Sequence, residues 1–106
     1  ILITGGAGFI GHNLAINLAE RGFDVVALDS LERSTEFAVG RLKRYGIPIV
    51  KGDAKAISDC GGFDVVIHAA AYVSVPESVR RPLDYLENNV ISTTRVAMSV
   101  VRLARG

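Results

Sequence analysis

The sequence predicts an α/β fold, a doubly wound parallel sheet of strand order 3-2-1-4, on three observations. An apolar strand at the start runs through a glycine loop into a helix. Short apolar runs then alternate strictly with helical patterns. No long linker, low-complexity segment or internal repeat interrupts that alternation. Right-handed crossovers between parallel strands favour the order 3-2-1-4, with a ligand crevice where the order reverses between strands 1 and 4.

Each element has a local reason. Residues 1–4, Ile-Leu-Ile-Thr, form the first strand. Residues 9–21 follow as a helix, with Ile10, Leu14 and Leu18 at four-residue spacing and Gly22 as its stop. The second strand, 24–29, holds the continuous run Val25-Val26-Ala27-Leu28 expected of a parallel strand buried on both faces. Ser34 is placed to cap a helix reaching Tyr45, with Phe37, Leu42 and Tyr45 available for burial and Gly46 ending it. The third strand, 47–50, closes on Lys51-Gly52-Asp53, and a short helical stretch over 54–59 precedes Gly61-Gly62. Residues 64–71 contain the fourth strand, Val65-Val66-Ile67. An irregular loop with Pro76 leads to a long helix over 82–105, with Pro82 at a permitted first-turn position. Leu83, Leu86, Val90, Ala97 and Val101 form the stripe expected to face the sheet, leaving Ile91, Val96, Met98, Val100 and Leu103 outside it.

Size and charge narrow the function. The 106 residues suffice for one small domain with a core but are few for a complete enzyme of this architecture. Ile1 already sits inside a strand, and Arg105-Gly106 reads as a helix with its glycine stop, so residues 1–106 are expected to be a piece of a longer protein. A net charge of +1 gives no electrostatic case for nucleic acid or an anionic membrane. No apolar run approaches the roughly 20 residues that span a bilayer, and no signal peptide is visible. Cys60 is the only cysteine, which excludes an internal disulfide and suits a cytoplasmic location; no motif supports it as a catalytic thiol. Neither histidine has metal-ligand company, so no metal site is expected. His68, at a strand end, is expected to pack and hydrogen-bond, and His12, early in the first helix, to be exposed.

The glycine loop carries the chemistry. Glycines at 5, 8 and 11, with Gly6, Gly8 and Gly11 also matching G-x-G-x-x-G, form a dinucleotide-binding signature. Gly5 and Gly6 allow the tight turn, Gly8 lets backbone N–H groups approach a pyrophosphate, and Gly11 lets the helix pack closely. The helix N-terminus turns its partial positive charge towards the phosphates. That motif alone is weak, but Asp29 ends the next strand 18 residues after Gly11, where a carboxylate can accept both ribose hydroxyls of an adenosine. Ala69-Ala70-Ala71 reads equally as tight helix–sheet packing or as small side chains over which a cofactor passes.

Thr4-Gly5-x-x-Gly8-x-x-Gly11 resembles the extended short-chain dehydrogenases/reductases, the NAD-dependent nucleotide-sugar epimerase and dehydratase family. Leu28-Asp29-Ser30-Leu31 is similar to that family's acidic strand end, Gly52-Asp53 to its adenine-contacting turn, and His68-Ala69-Ala70-Ala71 to its His-x-Ala-Ala segment. The stretch from Val75 to Val90, containing Pro76-Glu77-Ser78 and Asn88-Asn89-Val90, resembles UDP-glucose/galactose 4-epimerases. The resemblance covers essentially the whole chain and implies the N-terminal part of an NAD-binding Rossmann domain. It implies that Gly5, Gly8, Phe9, Ile10 and Gly11 serve the pyrophosphate and that Asp29, with Ser30 beside it, serves the adenosine ribose. Asp53 and Ala54 would meet the adenine. Ala69, Ala70 and Ala71 would lie beside the cofactor and Asn89 would reach its nicotinamide half, whereas Asn88 is read as a solvent-facing residue.

Two departures stand out. Val73 occupies a position where many 4-epimerases carry a cofactor-contacting Lys, and Ser30 replaces the usual Asn. The family's catalytic Tyr-x-x-x-Lys is not present, since Tyr45, Tyr72 and Tyr85 are followed four residues later by Ile49, Pro76 and Asn89. The resemblance therefore implies no catalytic residue within 1–106. For the parent enzyme it implies 4-epimerisation of a nucleotide sugar through a 4-keto intermediate, with hydride passing to and from NAD. The apolar girth of the 82–105 helix calls for a second partner, either a second copy in a homodimer, since family members commonly pair through this helix, or the remainder of the same chain. A nucleotide-sugar 4,6-dehydratase and a non-catalytic NAD-sensing module remain as alternatives.

Overall fold

Leu2–Thr4, all buried, forms β1 at the centre of a four-stranded parallel sheet. The computed structural model describes residues 1–56, 62–71 and 75–105. Around β1 lie β2 (Val26–Asp29), β3 (Ile49–Lys51) and β4 (Val66–His68), in the order β3-β2-β1-β4. The expected order 3-2-1-4 is borne out. Registers align Ile3 with Ala27 and Ile67, and Thr4 with Leu28 and His68. The strands are shorter than the apolar runs that announced them, because pairing covers only the overlap of neighbouring strands.

Alternation along these strands sorts the two faces. Ile3 and Ala27, both fully buried, join Ala7, Ala15, Ile16, Val25, Leu42 and Ile47 in one core cluster, with Ile49 and Ile67 packed against it. The cover is supplied by α1 (Phe9–Glu20) and α2 (Glu36–Arg44). Burying a leucine such as Leu42 stabilises the fold by about 2 kcal/mol. Thr4 and His68 emerge on the opposite face, where α5 (Ser92–Arg105) lies against β4 and against a 3-10 turn at Ala54–Ala56.

Several local expectations are corrected. Thr35, not Ser34, caps α2, its side-chain oxygen accepting from the Ala38 N–H at 3.1 Å. Of Phe37, Leu42 and Tyr45 only Leu42 is buried, together with Ala38; Phe37 and Tyr45 are exposed. On α1, Gly11, His12, Ala15 and Ile16 face inward while Ile10 is exposed. The inward choice follows closeness of approach to the sheet, which favours small residues over the bulkiest stripe. Pro76 lies in a helix, α3 (Val75–Arg80), where it tolerates the first turn because its missing N–H has no helical partner to lose.

The long helix over 82–105 is instead composite. It comprises α4 (Pro82–Tyr85), a π-helical turn (Leu86–Ile91) and α5, with Pro82 at the expected first-turn position. Among its described side chains Ser92, Val96 and Ser99 are buried, whereas Leu83, Leu86, Val90 and Ala97, expected to face the sheet, are exposed. The buried serine hydroxyls are satisfied locally: Ser99 donates to the Arg95 carbonyl at 3.0 Å, and Ser92 lies 3.4 Å from His68 Nε2. Small, satisfied side chains let the helix approach the sheet, so hydropathy ranks its faces in the wrong order. Residues 57–60, Cys60 among them, and Val73 lie outside the described residues, as do the side chains of Val101 and Leu103.

Candidate functional site

The carboxyl ends of β1, β2, β3 and β4 open into one crevice at the point where the strand order reverses. It is a cleft of about 600 Å³ that opens to solvent. Gly5 and Gly8 from the loop after β1 form one wall, Leu28, Asp29 and Ser30 from β2 the next, and Gly52, Asp53 and Ala54 from beyond β3 another. Ala69, Ala70 and Ala71 follow β4 along the far side, and Asn88 reaches in from the π-helical turn.

The loop has its shape because Gly5, Gly6 and Gly11 leave no room for a side chain, Gly6 lying against Ala27. Gly5 takes φ +67°, and a Cβ there would stand 2.7 Å from the Ala70 backbone. The loop thus lies directly on the residues that follow β4. A Cβ on Gly11 would stand 2.1 Å from the Gly5 carbonyl oxygen, so Gly11 lets α1 dock against the loop itself. With Gly8 as a cap that offers no side-chain acceptor, the N–H groups of Phe9, Ile10 and Gly11 begin α1 without intrahelical partners. Their side chains do not contribute. Those of Phe9 and Ile10 are 82% and 72% exposed, and none of these three residues lines the crevice.

Asp29 is held by two backbone bonds. Its Oδ2 accepts from the Ala7 N–H at 2.9 Å, and its Oδ1 accepts from the Leu31 N–H at 2.8 Å. Leu31 adopts φ +66°, a left-handed conformation costly for a branched side chain, and its bond to Asp29 is part of what fixes it. The carboxylate is thereby tied to the glycine loop and still borders the crevice. Each oxygen retains acceptor capacity for a second donor. Across the crevice Asp53 accepts from the Lys55 N–H at 2.9 Å, with the Lys55 ammonium 3.5 Å from its other oxygen. Ser30 accepts from the Glu32 N–H at 3.4 Å.

Two histidines brace the site from opposite faces. His12, expected to be exposed, is buried between Phe9 and Phe37, whose rings meet it edge-on. Its Nδ1–H donates to the Gly8 carbonyl at 2.7 Å, so its Nε2 accepts from Arg41 Nη1 at 3.0 Å. The glycine loop is therefore joined through one ring to α2. His68 fulfils the expected packing and hydrogen-bonding role. Thr93 donates its only hydroxyl hydrogen to the Asn89 carbonyl at 2.7 Å and so accepts from His68 Nε2–H at 3.0 Å. Nδ1 is then the acceptor for the Thr4 hydroxyl at 2.6 Å. Burial lowers the His68 pKa below its ordinary 6.5.

Asn89 is not among the crevice-lining residues; its side chain accepts from Asn88 at 3.0 Å, and Asn88 takes the lining position. Arg33 and Ser34 also line the crevice. Arg33 forms an ion pair with Glu77 of α3, 44 positions away, and no local pattern signals a pairing at that separation. Among the described residues no cluster of His, Cys, Asp and Glu could hold a metal ion.

Partnerless N–H groups at a helix start and a carboxylate tied to the same glycine loop suit a ligand with an anionic middle and a diol at one end. The fold and crevice define a Rossmann-like, doubly wound α/β protein with its ligand site at the switch point. Over residues 1–105 the chain matches the NAD dependent epimerase/dehydratase family, and it belongs to that family. Curated relatives include a bifunctional UDP-glucose 4-epimerase and UDP-xylose 4-epimerase of Arabidopsis thaliana, 37% identical over 106 residues. A UDP-glucose 4-epimerase of Yersinia enterocolitica is 37% identical over 102 residues. Each comparison takes in 88% of this chain but 30% of the relative, so the chain spans about a third of their length. The crystal structure of UDP-glucose 4-epimerase from Bifidobacterium longum in complex with NAD+ and UDP superposes with a TM-score of 0.85 at 31% identity, covering 95% of this chain and 33% of that one.

Proposed function

We propose that these residues are the N-terminal, NAD-binding part of a nucleotide-sugar 4-epimerase that interconverts UDP-glucose and UDP-galactose. The Asp29 carboxylate carries the reading. Its bonds to Ala7 and Leu31 fix it beside the glycine loop, where two ribose hydroxyls can donate to it. The residues fit NAD. The space that a Cβ on Gly5 or Gly11 would fill is already taken by backbone, which keeps the loop flush with the strand ends. The N–H groups of Phe9, Ile10 and Gly11 would receive the pyrophosphate. Ser30 would flank the ribose, Asp53 and Ala54 would border the adenine, and Ala69, Ala70 and Ala71 would leave room beside the ring. Asn88, which borders the crevice, and Asn89, its hydrogen-bond partner, would stand towards the nicotinamide half.

When bound, NAD supplies the hydride acceptor and donor for the sugar carbon. The chain's own part is to bind and orient it, and the residues that move the hydroxyl proton are assigned to the parent protein beyond Gly106. The names of the relatives and the NAD and UDP in the Bifidobacterium longum structure support the same assignment. We place the parent in the cytoplasm, in keeping with the lone Cys60; no helix among the described residues is long and apolar enough to cross a membrane. Exposed Leu83, Leu86, Val90, Ile91, Met98 and Val100 support pairing of two copies through the composite helix. The test is to incubate the full-length protein with UDP-galactose and NAD and measure UDP-glucose. Conversion supports an epimerase, a 4-keto-6-deoxy product would indicate a dehydratase, and NAD binding without turnover would indicate a sensing module.

A further inference from the structure

Arg33 lines the crevice next to Asp29 and Ser30, on the side assigned above to the adenosine ribose. Arginine in that position is the ordinary means of accepting a 2′-phosphate, because its guanidinium presents a bidentate donor face to phosphate oxygens. Here the guanidinium is already engaged by a carboxylate. Glu77, on α3 beyond β4, pairs with Arg33 Nη2. The pair links the segment after β2 to the helix after β4, the two segments that flank the loop of β1.

We propose that Glu77 is a specificity-determining residue that makes the crevice select NAD against NADP by occupying Arg33. Asp29 alone opposes a 2′-phosphate by like charge, but Arg33 lies close enough in sequence to offset it. With Glu77 paired, the local balance of Asp29, Arg33 and Glu77 is −1, and a phosphate must compete with a carboxylate for the guanidinium. Removal of the Glu77 charge takes away the carboxylate with which a 2′-phosphate must compete for Arg33. Selectivity is then set in part by a residue 48 positions from Asp29 and outside the crevice lining. The inference rests on the NAD-binding reading and extends it to the choice between two nucleotides.

The test is calorimetric titration of the full-length protein with NAD and with NADP, for the native chain, Glu77→Gln, Arg33→Gln and the double variant. The readout is the ratio of the two Kd values. Glu77→Gln is expected to shift that ratio towards NADP by about tenfold. Arg33→Gln is expected to shift it away from NADP, and the double variant should lose the gain of Glu77→Gln. A native protein that binds NAD, with an unchanged ratio in Glu77→Gln, overturns the inference alone. So does a double variant that keeps the gain, because the effect would not run through Arg33. A native protein that binds neither nucleotide overturns the inference together with the NAD-binding reading.

Discussion

Thr4 and His68 stand opposite one another at the ends of neighbouring strands, joined by a 2.6 Å bond from the Thr4 hydroxyl to Nδ1. The far nitrogen reaches Thr93 at 3.0 Å, and Thr93 in turn donates to the Asn89 carbonyl. One relay thus connects the central strand, the edge strand and the π-helical turn from which Asn88 enters the crevice. The ring must be neutral to accept from Thr4, and burial favours that form.

Stability should therefore fall on acidification. The folded His68 pKa lies below its ordinary value of 6.5, so below about pH 6.5 the unfolded chain binds the proton that the folded chain refuses. The loss begins near pH 6.5, grows as pH falls towards the folded pKa and levels off beneath it. Thermal melts of the full-length protein between pH 7.5 and 5 should record this slope, and His68→Asn should reduce it. An unchanged slope in the variant would contradict the assignment.

Asp29→Ala should weaken NAD binding about tenfold or more, since it deletes a carboxylate acceptor and releases the Ala7 N–H. NADP should be affected less, because the like-charge repulsion is lost at the same time. The native full-length protein should bind NAD more tightly than NADP. Titration with both nucleotides decides, and tighter NADP binding would refute the ribose assignment.

Gly11→Ala should destabilise the fold by more than about 3 kcal/mol, because the added carbon would lie 2.1 Å from the Gly5 carbonyl and neither backbone segment can yield cheaply. Denaturant unfolding gives the magnitude. A loss below about 1 kcal/mol would show that α1 can move away from the loop.

The exposed apolar face of the composite helix predicts a dimer of the full-length protein. Met98→Glu should shift it towards monomer by placing a charge on that face. Light scattering at micromolar concentration is the measurement, and a native monomer would mean that another part of the same chain covers the helix.

Residues 1–106 expressed alone should aggregate and show no epimerase activity. Among the described residues β4 ends the sheet with no strand paired beyond it in the order β3-β2-β1-β4, and the neighbouring Val65 is half exposed. Solubility and turnover of UDP-galactose by this piece can be assayed directly, and a soluble, active product would overturn both the boundary and the mechanism.

What the sequence determined by itself was short-range. The glycine spacing, the acidic residue ending β2, the alternation of elements and the strand order all follow from rules acting over a few residues or from the handedness of parallel connections. Seven crevice-lining residues, Gly5, Gly8, Asp29, Asp53 and Ala69 to Ala71, were legible on that basis, and Ser30 and Ala54 came from the family resemblance. The tertiary structure alone decided which face of each helix turned inward. Hydropathy favoured Leu83, Leu86 and Val90, but close approach selected Ser92, Val96 and Ser99, whose small side chains satisfy their own polar atoms or need none. It also decided that His12 is buried, through its bond to Arg41, and that Glu77 meets Arg33. Those partners lie 29 and 44 positions apart, and only the folding of the sheet and its helices brings such residues within a few ångströms.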